Sequence, residues 1–373
     1  MRIAPTDVIS VRVASLRALF RARDLDALVV TCLPNIAYLT GFFASASALV
    51  VTPDDVTLFA DSRYAAGLQE RARDCPFIQP RELPPGSSYD AAVLEHLGAL
   101  RGARVGFEAA HLTVSRHSFL VDGLKQRGST SPLVATVGVV ELLRSSKDAW
   151  EVGRLRDGAE RLSTVAKCIL PKILAGRTEA DLAAEIEARL RRVGFQRPAF
   201  DTIVASGPNA ALPHARAGSR SLEAGDLVVI DFGGVLDGYC TDLTRTVAVG
   251  KAGDRERQVI EQVVEAQLAA FAAVKAGCSP ESVDAAARAV LTGHGSGQAF
   301  THGTGHGIGL EVHEAPRLTR GRVDHPEPPL AAGMVMTLEP GAYFPGWGGV
   351  RIEDDVLVTA DGAEWLTDVP RIQ

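Results

Sequence analysis

Leu227-Val228-Val229-Ile230-Asp231-Phe232-Gly233-Gly234-Val235-Leu236-Asp237-Gly238-Tyr239-Cys240-Thr241-Asp242-Leu243-Thr244-Arg245-Thr246 decides the fold of the second half of this chain. An apolar run ends in a carboxylate, Asp-Gly supplies a tight turn, and a second strand returns with another carboxylate. The segment therefore reads as a hairpin of Asp226 to Val235 and Tyr239 to Val249. Asp231 and Asp242 can project from its two strands towards one point. A buried carboxylate without a partner is costly, and a cation satisfies it. Isolated aspartates more often cap strand ends, but the arrangement recurs: Met334 to Leu338 and Val350 to Thr359 read as another pair of strands, with Glu339 and Glu353. Two strand pairs that each deliver two carboxylates are harder to assign to caps.

Working outward, a helical pattern runs from about Lys147 to Leu174, weakened by Gly153 and Gly158 and kinked by Pro171. A second helix starts at the N-cap Thr178, with Glu179 and Asp181 in its first turn, and ends near Gly194. A strand from Asp201 to Ala205 precedes the hairpin, and helices near 254–274 and 281–292 follow it. Helices and antiparallel strands segregate here, an α+β layout. The first part of the chain alternates instead: a helix near 8–23, a strand at Ala27 to Thr31, a hairpin around Pro53-Asp54-Asp55, a helix from Asp90 to Leu100 and a strand at Arg104 to Phe107. That alternation predicts a smaller α/β domain over residues 1–135, ahead of a domain over 136–373.

A chain of 373 residues exceeds the comfortable size of one core, and 46% hydrophobic content suffices for two. The formal charge of -6 and the absence of a long Lys/Arg run exclude nucleic acid as an expected partner. The 5 cysteines are odd in number and contain no C-x-x-C, which argues against a disulfide framework and a zinc ribbon. Arg2, Arg12, Arg17, Arg21 and Arg23 interrupt the N-terminal apolar residues, so no export signal is expected, and no run approaches the roughly 20 apolar residues that span a bilayer. The expectation is a cytoplasmic protein without a membrane partner.

Asp231, Asp242, His306, Glu339 and Glu353 form an oxygen-rich, nitrogen-poor set that suits a pair of hard or borderline divalent ions, with a hydroxide held between them as nucleophile. His306 lies in His302-Gly303-Thr304-Gly305-His306-Gly307-Ile308-Gly309, where glycines let backbone approach a ligand closely. Its spacing fails the G-x-G-x-x-G dinucleotide pattern. His313-Glu314 is followed by Arg317 and not by the second histidine of H-E-x-x-H, so the single-zinc helix is absent. Cys240 shares a strand face with Asp242 and reads as a small buried thiol. Arg351 shares a face with Glu353 and reads either as an ion-pair partner or as a clamp for a substrate carboxylate.

Together Asp231-Phe232-Gly233, Asp242-Leu243-Thr244-Arg245-Thr246, His302 to His306, His313-Glu314, Glu339-Pro340-Gly341 and Arg351-x-Glu353-Asp354 resemble the pita-bread metallopeptidases, in the right order over about residues 145–373. The first 135 residues, including Asn35-Ile36-Ala37-Tyr38-Leu39-Thr40-Gly41-Phe42, resemble the N-terminal domain shared by creatinase, prolidase and aminopeptidase P. Ordinary methionine aminopeptidases lack that domain.

The resemblance implies a pita-bread catalytic domain preceded by a creatinase-like α/β domain. Residue by residue, it makes Asp231 a ligand of one metal ion, His306 and Glu339 ligands of the other, and Asp242 and Glu353 the bridges. Mn²⁺ is the expected ion, with Co²⁺ or Zn²⁺ as alternatives. It gives His214, His302 and His313 substrate-binding and proton-handling roles, places Tyr343 and Arg351 in the same pocket, and makes Glu339 a general acid/base. The implied activity is hydrolysis of short peptides, Xaa-Pro dipeptides foremost, by a homodimer. Aminopeptidase P activity stays open. Ala215, where many prolidases carry a second histidine, leaves a relaxed or carboxypeptidase-like specificity open as well. A creatinase-like amidinohydrolase or a catalytically silent binding protein would be expected to lack part of the ligand set, which is complete here.

Overall fold

The computed structural model of the chain describes residues 1–321 and 327–372. It divides into two compact units, Arg2–Arg144 and Ser145–Gln373 with Met1. The boundary expected at 135 falls inside a strand of the first unit, and the helix beyond it is tied to that unit through the side chains of Glu141 and Arg144, which both bind Asn35.

The first unit is α/β. Its elements are α1 (Thr6–Arg23), β1 (Ala27–Val30), α2 (Leu33–Thr40), β2 (Ala48–Val51), β3 (Val56–Asp61), α3 (Ala65–Asp74), β4 (Ile78–Leu83), α4 (Tyr89–Ala99), β5 (Val105–Glu108), α5 (Val114–Gln126), β6 (Leu133–Thr136) and α6 (Val139–Ser145). The sheet runs β4-β3-β2-β1-β5-β6. β1, β5 and β6 are mutually parallel, whereas β2 is antiparallel to β1. The central strands are buried along their length, which is why they read as short unbroken apolar runs such as Ala27-Leu28-Val29-Val30.

The second unit builds one motif twice. First come α7 (Ala149–Ile169), α8 (Glu179–Arg192), β7 (Arg197–Pro198), β8 (Ile203–Ser206), β9 (Leu227–Leu236) and β10 (Tyr239–Ala248). Then follow α9 (Asp254–Ala273), α10 (Pro280–Gly293), β11 (Gly305–Gly307), β12 (Glu314–Leu318), β13 (Val335–Leu338), β14 (Gly341–Phe344), β15 (Gly348–Arg351), β16 (Asp354–Val358) and β17 (Ala363–Trp365). In each half a pair of helices buries its apolar face on an antiparallel sheet. Leu162, Ala166, Ile169, Leu182, Ile186 and Leu190 meet Val228, Ile230 and Leu243 in the first half. Val259, Val263, Val283 and Ala287 meet Met336, Leu338, Val356 and Val358 in the second. Thr244 of β10 forms a bridge to Glu353 and joins the halves.

Local chemistry explains the boundaries. Asp148 and Glu151 form a reciprocal capping box at the start of α7, and Thr178 accepts from the N–H of Asp181 at the start of α8. α7 stops at Ile169, and Pro171 sits in a short 3₁₀ turn in place of the kinked continuation to Leu174. Gly158 lies inside α7 because the helix crosses β10 so closely that a Cβ would stand 2.7 Å from Thr241 Cγ2. In the β9–β10 turn Asp237 and Gly238 have φ of 52° and 88°, the mirror-image turn that a two-residue hairpin needs.

Two further departures from the sequence expectation concern strands. Val350 to Thr359 is not one strand: β15 ends at Arg351, and β16 begins at Asp354 in another sheet. The run at 302–309, to which the sequence reading assigns no element, contains β11, which pairs with β12 and β13. Glycines disfavour strands locally, so the sequence pattern hides it. Its spacing demands them, because a Cβ on Gly305 would lie 2.0 Å from the Thr337 carbonyl oxygen. Gly305→Ala is accordingly expected to displace β11 and His306 together, so that bound metal, measured by atomic emission after gel filtration, falls below the wild-type stoichiometry. Wild-type metal content in a folded Gly305→Ala protein would contradict this account.

Candidate active site

The break between β15 and β16 is what shapes the site. β13 pairs with β16 and β14 with β15, so the Glu339-Pro340 and Ile352-Glu353 crossovers lie side by side where the chain passes between sheets. The bridge from Thr244 to Glu353 then brings this crossover to the β9–β10 hairpin. Asp231 pairs with Thr244, and Asp242 with Gly233. Four carboxylates from both halves therefore converge.

They line one cavity of about 1070 Å³. His214, Asp231, Asp242, His302, His306, His313, Glu339, Arg351 and Glu353 all contribute to its wall. Tyr343 lies behind that wall, 6% exposed, and acts through its hydroxyl, which meets His302 Nε2 at 2.8 Å and accepts from Arg351 at 2.9 Å. Cys240 is set apart from the carboxylates in a separate apolar cluster with Leu155, Val235 and Ile308, where burial pushes its thiol up to about 12.

The donor set fits divalent metal ions. Asp242, His306 and Glu353 each offer an atom within 4.8 Å of the others, and His306 Nε2 is 3.7 Å from Glu339 Oε1. Asp231 Oδ1 and Asp242 Oδ1 are buried and have no hydrogen-bond partner among the described residues, as expected of oxygens aimed at a cation. Burial and the neighbouring Glu353 and Asp231 raise the Asp242 carboxyl well above its ordinary range, and burial with Glu339 and Asp231 does the same to Glu353. Burial lowers His306 to about 4, so at neutral pH its imidazole is uncharged and able to ligate.

Apart from Arg351, sequence reasoning missed the side chains that hold this set. Thr244 donates to Glu353 at 2.5 Å and accepts from Arg351 Nε at 3.3 Å. Arg351 also binds Asp231 at 2.6 Å and the Pro213 carbonyl at 3.2 Å, so most of its guanidinium is engaged within the protein. Asp355 accepts the Asp242 N–H at 3.2 Å. Asp284 receives the N–H and hydroxyl of Thr304, while Arg288 donates to the His302 carbonyl, which anchors the histidine loop to α10. Lys147 and Glu314 form a buried ion pair at 2.8 Å beside His313, whose ring lies 4.3 Å from that of His306. Each of these partners is distant in sequence, and only their polarity at buried positions could have signalled them.

Residues 153–360 match the model of metallopeptidase family M24. The chain belongs to that family. Residues 12–146 of this M24 peptidase match the Creatinase/Prolidase N-terminal domain, so the pita-bread fold with its creatinase-like first domain is present as the motifs implied. The chain is 30% identical to an Xaa-Pro dipeptidase of Pyrococcus horikoshii over 98% of its own length and 99% of the relative's. An Xaa-Pro dipeptidase structure from Bacillus anthracis superposes with a TM-score of 0.89 at 34% identity, covering 98% of this chain and 100% of that one. An X-Pro aminopeptidase structure from Thermotoga maritima superposes with a TM-score of 0.85 at 31% identity, over 97% and 99%. The protein is a metallopeptidase. Among the described residues no helix is long and apolar enough to cross a membrane.

The carboxylate cluster ties metal binding to pH. Burial raises Glu339 from its ordinary 4.5 to about 8, so the folded metal-free protein holds this proton more tightly than the unfolded chain does. Its contribution to stability is full below the unfolded value and is lost as pH rises through about 8. A bound cation reverses the preference by favouring the ionised carboxylates. The rise in Tm on adding Mn²⁺ to metal-stripped protein is therefore expected to be larger at about pH 8 than at about pH 6, measured by calorimetry. A rise that shrinks with pH would show that these carboxylates do not take the ion.

Proposed function

We propose that this M24 peptidase is a dinuclear Xaa-Pro dipeptidase, cleaving the bond before proline in short peptides. The observation that carries the reading is the convergence of four carboxylates and one imidazole from both halves of the fold on one cavity, two of the buried oxygens lacking a hydrogen-bond partner among the described residues. The Xaa-Pro dipeptidases among its relatives, similar over nearly the whole chain, support the substrate class.

Asp231, Asp242, His306, Glu339 and Glu353 would hold the ions, with Asp242 and Glu353 as the shared ligands. Bound ions, Mn²⁺ for a carboxylate and imidazole set with Co²⁺ or Zn²⁺ as substitutes, supply Lewis acidity and lower the pKa of water. Glu339, ionised once the cations are bound and lining the same cavity, takes a proton from the attacking water and delivers it to the proline nitrogen as the C–N bond breaks. His313 steadies the negative charge that develops on the carbonyl oxygen. His214 and His302 face the substrate, and Tyr343 orients the His302 ring through its 2.8 Å contact. Arg351 fixes Asp231 and Tyr343, leaving only part of its guanidinium for a substrate carboxylate. A homodimer in the cytoplasm, without nucleic acid or membrane partners, is the setting that completes this reading.

Product analysis by mass spectrometry on metal-stripped protein, with and without Mn²⁺, tests it. Metal-dependent cleavage of Ala-Pro but not Ala-Pro-Phe is expected. Aminopeptidase P activity is the second reading, favoured by the similarity to the Thermotoga enzyme and by a cavity of about 1070 Å³, ample for more than two residues. Release of alanine from Ala-Pro-Phe would establish that alternative. No metal-dependent cleavage of either would overturn both.

A further inference from the structure

The first unit carries a second cluster of metal-ligating side chains, independent of the peptidase site. Cys32, His111 and Glu141 each offer an atom within 4.8 Å of the others. Their placement follows from the topology. Cys32 follows the carboxyl end of β1, His111 that of β5 and Glu141 that of β6, and these three strands are adjacent and parallel. From β1 the chain moves to one side of the sheet through β2, β3 and β4, then crosses back to place β5 and β6 on the other side. The β1/β5 gap is thus a point where the strand order reverses, and open α/β sheets bind ligands at the carboxyl ends of strands at such points.

The cluster has a supporting frame. Asn35, fully buried, donates through Nδ2 to Glu141 at 2.7 Å and to Glu108 at 2.6 Å, while its Oδ1 accepts from Arg144 at 2.7 Å. Glu108 in turn accepts the Cys32 N–H at 2.8 Å and the Thr31 N–H at 2.6 Å. One amide and one carboxylate therefore set the position of the Cys32 backbone and one oxygen of Glu141, the kind of outer support that metal ligands have. Cys32 is 2% exposed at the N-cap of α2, whereas His111 is exposed and gives an ion access from solvent.

We propose that Cys32, His111 and Glu141 form a site for a divalent transition metal of the Zn²⁺ class at the carboxyl ends of β1, β5 and β6. A thiolate, an imidazole and a carboxylate are the borderline-soft set that Zn²⁺ accepts, and two of them together neutralise its charge. Bonds of about 2.0–2.3 Å put tetrahedral ligands about 3.5 Å apart, so atoms that lie within 4.8 Å of one another have little more than about 1 Å to close. Three protein ligands leave the fourth position to water or to an incoming donor. Binding forms bonds from the ion to sulfur, nitrogen and oxygen, releases water from the hydrated ion and passes the thiol proton to solvent.

Sulfur makes the site separable from the peptidase centre, whose donors are oxygen and nitrogen. Full-length protein stripped with EDTA is titrated with Co²⁺ and followed by the near-ultraviolet thiolate-to-cobalt charge-transfer band. The wild type is expected to develop the band. Cys32→Ser should abolish it and bind one ion fewer per chain while keeping peptidase activity. Cys240→Ser should retain it. Because Cys32 is buried, His111→Ala serves as the second variant: its side chain is exposed, so the fold survives, and the cobalt affinity read from the band falls at least about 10-fold. Absence of the band in the wild type, or its persistence in Cys32→Ser, would overturn the proposal whatever the peptidase assay gives.

Discussion

Asp242→Asn is expected to lower kcat/KM on Ala-Pro by at least about 10³-fold while leaving the metal-free fold intact. Asp242 is 4% exposed, its Oδ1 has no hydrogen-bond partner among the described residues, and it offers an atom within 4.8 Å of ligand atoms on His306 and Glu353. Asparagine preserves the shape and the main-chain hydrogen bond to Asp355, but a neutral amide cannot serve as an anionic ligand between two cations. The effect on stability runs the opposite way. Burial and Glu353 already push the Asp242 carboxyl towards its neutral form in the absence of metal, so a permanently neutral side chain removes repulsion. The metal-free variant should melt no lower than metal-free wild type, yet gain less on adding Mn²⁺. Kinetics, metal content and Tm measured on one preparation separate these effects. Full activity in Asp242→Asn would sink the proposed mechanism, and a collapse of the metal-free fold would assign Asp242 a structural role.

Arg245→Met should cost about 3–5 kcal/mol, a fall in Tm of roughly 10 °C. Arg245 is 1% exposed and its guanidinium donates to the carbonyls of Thr244, Glu353, Val369 and Pro370 and to Asp354 Oδ1. Asp354 is itself fully buried, and Gln267, Thr367 and Arg371 donate to it. Methionine fills much of the volume but leaves the buried Asp354 carboxylate with Arg371 as its one remaining charged partner among the described residues, and four carbonyls with one donor fewer. Since the Glu353 carbonyl is among them, activity should fall along with stability. Arg245→Lys restores the charge but not the planar fork, and should recover only part of the loss. A change in Tm of a degree or two for Arg245→Met in thermal denaturation would show that the network is dispensable.

The fold is legible in the sequence where local chemistry is strong. The Asp237-Gly238 turn, the Thr178 cap and the apolar run that opens β9 specify the hairpin and its preceding helix through neighbouring residues alone. Legibility fails where long-range packing overrides local preference. β11 is a strand made of Gly305, His306 and Gly307, and a Cβ on Gly307 would lie 2.1 Å from the Ala315 carbonyl oxygen. Its glycines mark close approach between backbones and not a loop. The run from Val350 to Thr359 has an unbroken strand pattern, yet it changes sheet at Ile352-Glu353. The supporting residues Thr244, Asp355, Asp284 and Lys147 are hidden for a related reason, since a buried polar side chain declares its role only through partners far along the chain.

The sequence by itself determined which donors this protein has and how they are spaced along their strands, because side-chain direction in a strand alternates with a period of two and turn residues declare themselves locally. Only the tertiary structure decided that Asp242, His306 and Glu353 meet, that Arg351 is engaged by Asp231, and that Cys32, His111 and Glu141 share one end of a sheet. Those outcomes depend on pairings such as Thr244 with Glu353 and on the order in which parallel strands are laid side by side, which no local period encodes. The electrostatics follow the same division: the carboxyl groups are visible as residues, but their raised proton affinity arises from burial beside one another, a property of the folded arrangement alone.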